Sequence, residues 1–261
     1  MDDKIKKSDN YIIARRRKKI IRRKILDFLK LVLIIIFFAL SVWALNYFYN
    51  SDYFKIKNID IQGNKHYKDE EIKTLVEDLT GSNIFEVNKK KIEDELTKKL
   101  SWIKETELSK VFPDKIVIKI TEREPCLKIV YLGSHFLIDD EGVVLDKIDK
   151  ESLDKYKDLI LVRNAVSHSI NVGDKIAKKN VLSCAEIYDF FDSDLKSLIK
   201  DARLDDNISG DIIFYTVSGK EIIFGDSSDI LKKVEILKEL LKGQSNCSII
   251  DLRISDNPVV N

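Results

Sequence analysis

Between Lys30 and Asp52 lie 21 residues without a formal charge, and from Leu31 to Tyr49 only Ser41 and Asn46 are strongly polar. As a helix rising 1.5 Å per residue, the stretch from Leu31 to Tyr49 spans roughly 28 Å, close to the hydrocarbon thickness of a bilayer. Residues 31–51 therefore read as a transmembrane helix. The flanks differ in charge: residues 1–30 carry 12 Lys/Arg against 4 Asp/Glu, whereas residues 52–261 carry 33 against 40. Basic flanks stay in the cytoplasm, so the N-terminal tail is expected inside and everything after residue 51 outside. Trp43, Tyr47, Phe48 and Tyr49 gather at the outer end, where amphipathic rings settle at the headgroup level.

Ala39-Leu40-Ser41 offers small residues for signal cleavage, but the apolar run continues past them and the basic region before it is too long for a signal peptide. Membrane adjacency accounts for the basic run, and no nucleic-acid partner is expected. The remaining chain is long enough for one or two domains, and 34% charged residues exclude a polytopic membrane protein. Cys126, Cys184 and Cys247 lie far apart, with no zinc-type spacing and no expected disulfide framework.

After the anchor, residues 53–61 alternate apolar and polar with period two, predicting a strand that ends at the turn Gln62-Gly63-Asn64. Lys68 to Leu79 carries Ile72, Leu75, Val76 and Leu79 at helical spacing, with Asp69 as possible N-cap. Asn88 is a candidate cap for a second helix with Ile92, Leu96 and Leu100. Strands at 103–110 and 116–122 follow, joined at Phe112-Pro113-Asp114, giving the order β-α-α-β-β. Leu75, Val76, Leu96 and Ile118 are its expected core, and Trp102 and Phe112 are placed under the first sheet.

This order, with Ile61-Gln62-Gly63-Asn64, the Gly81-Ser82-Asn83-Ile84-Phe85 connection and Phe112-Pro113-Asp114 leading to Glu122-Arg123-Glu124-Pro125, resembles a POTRA domain. It resembles in particular that of the FtsQ/DivIB cell-division family. Beyond it, strands are expected at 126–132, 135–139 and 143–146, a further apolar run at 158–163, a helix at 181–198, a hairpin at 212–217 and 220–224, and a helix at 228–241. The apolar stripe of that last helix is Ile230, Leu231, Val234, Leu237 and Leu241. A last strand at 249–253 is similar to the Asp-Leu-Arg signature closing the family's second domain; the long tail some members carry is expected to be absent.

The expected fold class is α+β: one N-terminal transmembrane helix, a β-α-α-β-β POTRA domain and a second mixed α/β sheet domain. The expected division is a basic cytoplasmic tail (1–30), the span (31–51), the POTRA domain (52–124), an FtsQ-type β domain (125–254) and a short C-terminal segment (255–261). Arg123 and Pro125 read as a stiff linker, and Asp251 and Arg253 as a surface ion pair on one strand face.

Ser-x-x-Lys at Ser152 and Ser193 and Ser255-Asp256-Asn257 suggest penicillin-recognising enzymes, but the Lys-Thr-Gly strand is missing. His66, His135 and His168 stand apart from any nucleophile, and the paired carboxylates lie in charged turns or helix starts. No catalytic residue, cofactor, metal or small-molecule substrate is expected. The resemblance implies a non-enzymatic divisome protein at the septal cell membrane. Its partners would be FtsL-like and FtsB/DivIC-like coiled-coil membrane proteins and other divisome proteins, and its role would be to support septal peptidoglycan synthesis. A POTRA-bearing transport or chaperone component is the alternative, and it would need a barrel too large for this chain.

Ile250, Leu252 and Ile254 form one apolar face of the expected last strand, and Pro258 favours a sheet edge because it cannot donate. In the family this edge accepts a short strand from the FtsB/DivIC partner. Carried across, the resemblance places the partner contacts at Ile254, Ser255, Asp256, Asn257 and Val259. A chain ending at Ile254 is expected to keep its fold and lose that partner.

Overall fold

The computed structural model describes the backbone of residues 2–205, 210–243 and 247–261, and side chains for Lys24, Leu26, 28–205, 210–242 and 247–261. The chain divides into two compact units. One comprises Met1–Asn58, Leu79–Val87 and Val111–Lys115; the other comprises Ile59–Asp78, Asn88–Lys110 and Ile116–Asn261.

The first unit is led by helix α1, Asp2–Tyr49, within which Phe28–Tyr49 is long and apolar enough to cross a membrane. The expected strand from residue 53 starts later, because Asp52–Phe54 closes a 3-10 turn. The backbone that follows is held from two sides. Ile84 donates to the Phe54 carbonyl at 3.0 Å, Ile56 to Ser82 at 3.0 Å, and Lys57 to Asp114 at 2.9 Å. Phe112 is 54% exposed, so its expected place under a sheet is wrong: it joins a surface cluster of rings.

Strands β1 (Asn58–Gln62), β2 (Ile103–Val111) and β3 (Lys115–Glu122), which apart from the end residues Asn58, Val111 and Lys115 belong to the second unit, form a sheet in the order β1-β3-β2. Strand β3 buries Ile116, Ile118 and Ile120 at alternate positions, as period two requires. Gly63 turns the chain out of β1 at φ +90°, where a Cβ would lie 2.2 Å from the Ile120 carbonyl oxygen; only glycine fits. Helix α2 is Asp69–Leu75, shorter than expected, with a 3-10 turn at Glu77–Leu79 and Lys68 rather than Asp69 at its N-cap. Asp69 instead accepts from the Asn64 amide at 2.8 Å. Ile72 is fully buried, whereas the expected core residue Leu75 is only half-buried. Helix α3, Lys89–Lys99, is capped by Asn88 as expected, its side chain accepting from the Lys91 amide at 3.2 Å.

The remaining strands build one nine-stranded mixed sheet in the order β12-β11-β10-β9-β8-β7-β4-β5-β6. They are β4 (Pro125–Tyr131), β5 (Ser134–Asp139), β6 (Val144–Ile148), β7 (Ile160–Arg163), β8 (Ile199–Leu204), β9 (Ile212–Thr216), β10 (Glu221–Gly225), β11 (Ile249–Asp251) and β12 (Val259–Val260). The single helix expected at 181–198 is two, α4 (Lys179–Asp189) and α5 (Ser193–Leu198). Asp192 breaks the run by capping α5, accepting from the Leu195 amide at 2.9 Å. Helix α6 is Ile230–Gly243. Val181, Cys184, Ile187, Phe214, Phe224, Leu237 and Ile250 belong to one core on this sheet. Trp102 joins a smaller cluster with Leu137, Leu145 and Ile148, so it is a core residue of β5 and β6 rather than of the first sheet.

Arg123 is more than a linker. It donates from Nη1 to Asp139 at 2.5 Å and to Glu141 at 2.8 Å, and Asp139 is fully buried. Burial works against the guanidinium charge, but its bonds to Glu141 and Asp139 outweigh it and hold its pKa above the ordinary arginine value. Cys126 and Cys184 are free thiols, and burial pushes the Cys126 thiol to about 12.

Candidate functional site

The C-terminal end of the sheet is built by a β-α-β unit. Strands β10 and β11 are parallel, with Ile222 beside Ile250, and parallel neighbours need a crossover, which α6 supplies. The buried face of α6 carries Ile230, Lys233, Val234 and Leu237, whereas Leu231, expected in the stripe, is 67% exposed. Lys233 occupies an apolar position of that stripe and is 1% exposed. Its ammonium is satisfied by the Phe224 and Asp226 carbonyls, each at 3.1 Å, and by Asp226 Oδ1 at 3.2 Å. This cage fastens α6 to the end of β10. The Ser228 hydroxyl and amide, followed by Lys233, lower the Asp226 pKa to about 2.

The last strand does not run on to Arg253. It ends at Asp251, the chain reverses through residues 252–258, and β12 returns antiparallel on β11, pairing Ile250 with Val260 and Asp251 with Val259. Ile250 and Leu252 are therefore buried while Ile254 is 66% exposed, and the three do not share the expected face. At this end of the sheet the edge strand is β12, not β11.

The turn is tied to α6. Ser255 is buried and its hydroxyl lies 3.3 Å from Asp229, and Asp256 pairs with Lys232, raising that lysine's pKa. Asn257 closes the turn through its amide to the Ile254 carbonyl at 3.1 Å. Of the five expected contact residues, Ser255 and Asp256 are thus engaged by α6, Asn257 shapes the turn, and Ile254 and Val259 are left largely exposed.

Backbone geometry gives the edge a direction. Asn261 and Ile249 exchange both amide bonds, at 3.0 and 3.1 Å. Antiparallel pairs alternate, so the neighbouring Ile250–Val260 pair is the one that exchanges none. The amide and carbonyl of Val260 consequently point away from β11, towards the open side. Pro258, in the turn just before β12, has no backbone N–H to donate. Val260 was not among the expected contacts, since residue spacing alone does not tell which side of a ladder a backbone group faces.

The geometry defines a class of protein: one long apolar helix, a POTRA domain, and a mixed sheet ending in a short edge strand. The POTRA domain, FtsQ-type, matches residues 54–123, and the C-terminal domain of the cell division protein FtsQ/DivIB matches residues 130–253. The chain is 27% identical over 259 residues to the cell division protein DivIB of Clostridium botulinum (strain Hall), covering 97% of this chain and 95% of that one. It is 23% identical over 238 residues to the cell division protein FtsQ of Streptomyces coelicolor, covering 84% and 81%. Over 112 residues it is 32% identical to the cell division protein FtsQ of Syntrophotalea carbinolica, a match that spans 43% of this chain and 39% of that relative. The chain belongs to the FtsQ/DivIB family of cell-division proteins.

Proposed function

We propose that this chain is a bitopic, non-enzymatic divisome protein that binds FtsB/DivIC-like and FtsL-like partners outside the membrane and so supports septal peptidoglycan synthesis. Residues 1–30 form the cytoplasmic tail, 31–51 the span, 52–124 the POTRA domain, and 125–254 the β domain, to whose sheet the C-terminal segment 255–261 adds β12. The observation that carries the partner reading is the open side of β12, where the Val260 amide and carbonyl point away from β11. An exposed strand edge is a template for another chain, and a partner strand added there gains main-chain bonds for affinity. Ile254 and Val259 supply apolar anchors, and Asn257, Ser255 and Asp256 set the turn that presents them.

The test is Val260→Pro in the full chain. Proline removes the one outward donor and spares the bonds to β11, so the melting temperature should hold while detergent capture of the FtsB/DivIC-like protein from cells falls at least tenfold. Undiminished capture would move the site away from β12. The orientation is tested separately: an impermeant thiol reagent should label a cysteine at Lys68 but not at Lys18 in intact cells, and the reverse pattern would invert the topology.

A further inference from the structure

Two motifs remain without a role, the Asn83-Ile84-Phe85 connection and the Val111-Phe112-Pro113 turn. Both lie in the unit that holds the apolar helix, and both carry large apolar side chains into solvent: Phe85 is 42% exposed, Val111 46% and Phe112 54%. They do not stand alone. The Tyr49 ring, on the last residue of α1, stacks on Phe85 at 5.3 Å and 19°, and Phe85 meets Phe112 at 5.2 Å and Phe54 at 5.0 Å. Phe54 in turn meets Phe48 at 5.0 Å and Tyr53 at 5.2 Å. The result is one continuous aromatic surface running from the end of the helix onto two loops.

The height of that surface is fixed. The Asn83 side-chain amide donates to the Tyr49 carbonyl at 2.7 Å, and its oxygen accepts from the Phe85 amide at 2.9 Å. One side chain therefore ties the Phe85 loop to the final turn of α1. Tyr47 and Trp43, stacked at 5.8 Å, lie about half a turn and about one and two-thirds turns below Tyr49 on the same helix. Rings of this kind settle at the headgroup boundary, and Trp43 is only about 9 Å along the axis from Tyr49. Loops pinned to Tyr49 are then held at the boundary as well. Exposed apolar patches mark an interaction surface, and here continuity with the helix identifies the occupant. The polar rim fits too: Lys55 pairs with Asp52 at 2.7 Å and Lys57 with Asp114 at 3.2 Å, exposed pairs that tolerate contact with headgroups.

We propose that Phe85, Val111 and Phe112 form a second membrane contact, seating the two segments that carry them in the outer interfacial layer of the bilayer. This rests on the reading of α1 as a membrane span.

The experiment uses the full chain with Cys126 and Cys247 changed to serine; Cys184 is fully buried and stays. Single cysteines at Val111, Phe112, Phe38 and Val217 carry a bimane label in nanodiscs holding one chain each, with lipids brominated near the top of the acyl chain. Val111 has no ring, so its replacement leaves the stacked rings in place; Phe38 reports the span, and Val217, 70% exposed on the β domain, reports solvent. Labels at 111, 112 and 38 should be quenched at least twofold and the label at 217 left unchanged. Quenching at 38 with 111 and 112 as bright as 217 overturns the second contact alone and assigns the patch to a protein partner or a second copy. An unquenched label at 38 overturns the span and the contact together.

Discussion

Arg253 folds back on Asp251, its Nε lying 3.1 Å from both carboxylate oxygens and its Nη2 2.6 Å from Oδ2. The Arg253 amide adds a fourth bond at 3.0 Å. The Arg253 bonds hold the Asp251 pKa down and push that of the guanidinium up. The arginine stem lies over Gly225, where a Cβ would come 2.9 Å from Arg253 Cγ at a backbone φ of +79°. The Asp-Leu-Arg signature is thus a clasp that closes β11 onto the end of β10.

The clasp predicts unequal costs. Gly225→Ala should destabilise the chain by about 1 to 2 kcal/mol through its left-handed backbone, whereas Arg253→Ala, half-exposed, should cost within about 1 kcal/mol. Because alanine at 225 meets the arginine stem, the double variant should lose less than the sum, a coupling that thermal melts of the four proteins would measure.

The order of elements was legible because it depends on periodicity and turn residues, which are local. What was missed depends on distant partners. Strand β8 escaped because its ladder with β9 slips between Ile199 and Asp201, breaking period two, and because Asp201 is buried beside Arg163, its carboxylate bonded at 3.0 Å. Strand β12 has two residues and no period to read. Lys233 sits where the stripe of α6 requires an apolar residue, and only the carbonyl cage from β10 makes a lysine fit. At the candidate edge the residue types were readable from Pro258 and its valines, but the fold-back that makes β12 the outer strand was not.

Arg123→Ala should be among the most damaging single changes. Asp139 would keep its amide bonds from Val143 at 2.7 Å and Glu141 at 3.1 Å, but its other oxygen would lose the guanidinium inside a fully buried site. Stranding a buried charge costs about 3 to 5 kcal/mol. Denaturant titration should show that loss, and Arg123→Lys, which cannot form the same fork, should recover only part of it.

On α2 the decisive position is Ile72. It is completely buried, so Ile72→Ala should cost about 2 to 5 kcal/mol, while Leu75→Ala at its half-buried position should cost clearly less. Equal shifts in melting temperature for the two variants would contradict this placement of α2.

Acid stability should carry the mark of Asp226. Its folded pKa, about 2, lies below the ordinary 3.8, so its contribution is fully present above that ordinary value and is lost as pH falls through 2. The side chain is 78% exposed, which limits the effect to within about 1 kcal/mol. Asp226→Asn should flatten the stability profile between pH 4 and pH 2 relative to the parent and leave the slope above pH 5 unchanged, as urea midpoints taken across that range would reveal.

Truncation after Ile254 separates folding from partner binding less cleanly than the sequence suggested. It removes β12, and with it the Asn261 bonds to Ile249 and the pairing of Val260 with Ile250. It also removes the Ser255 and Asp256 ties to α6. Ile250 and Leu252 are fully buried and belong to the main core, held from the other side by β10, where the Leu252 amide donates to the Ile223 carbonyl at 2.8 Å. Strand β11 should therefore survive the cut as the new edge, at a cost of about 1 to 3 kcal/mol for the lost bonds. The stripped chain should retain its far-ultraviolet dichroism, exchange the Ile249 amide proton much faster than the parent, and lose the partner. Slow exchange at Ile249 after truncation would mean that β12 does not cover β11 in solution.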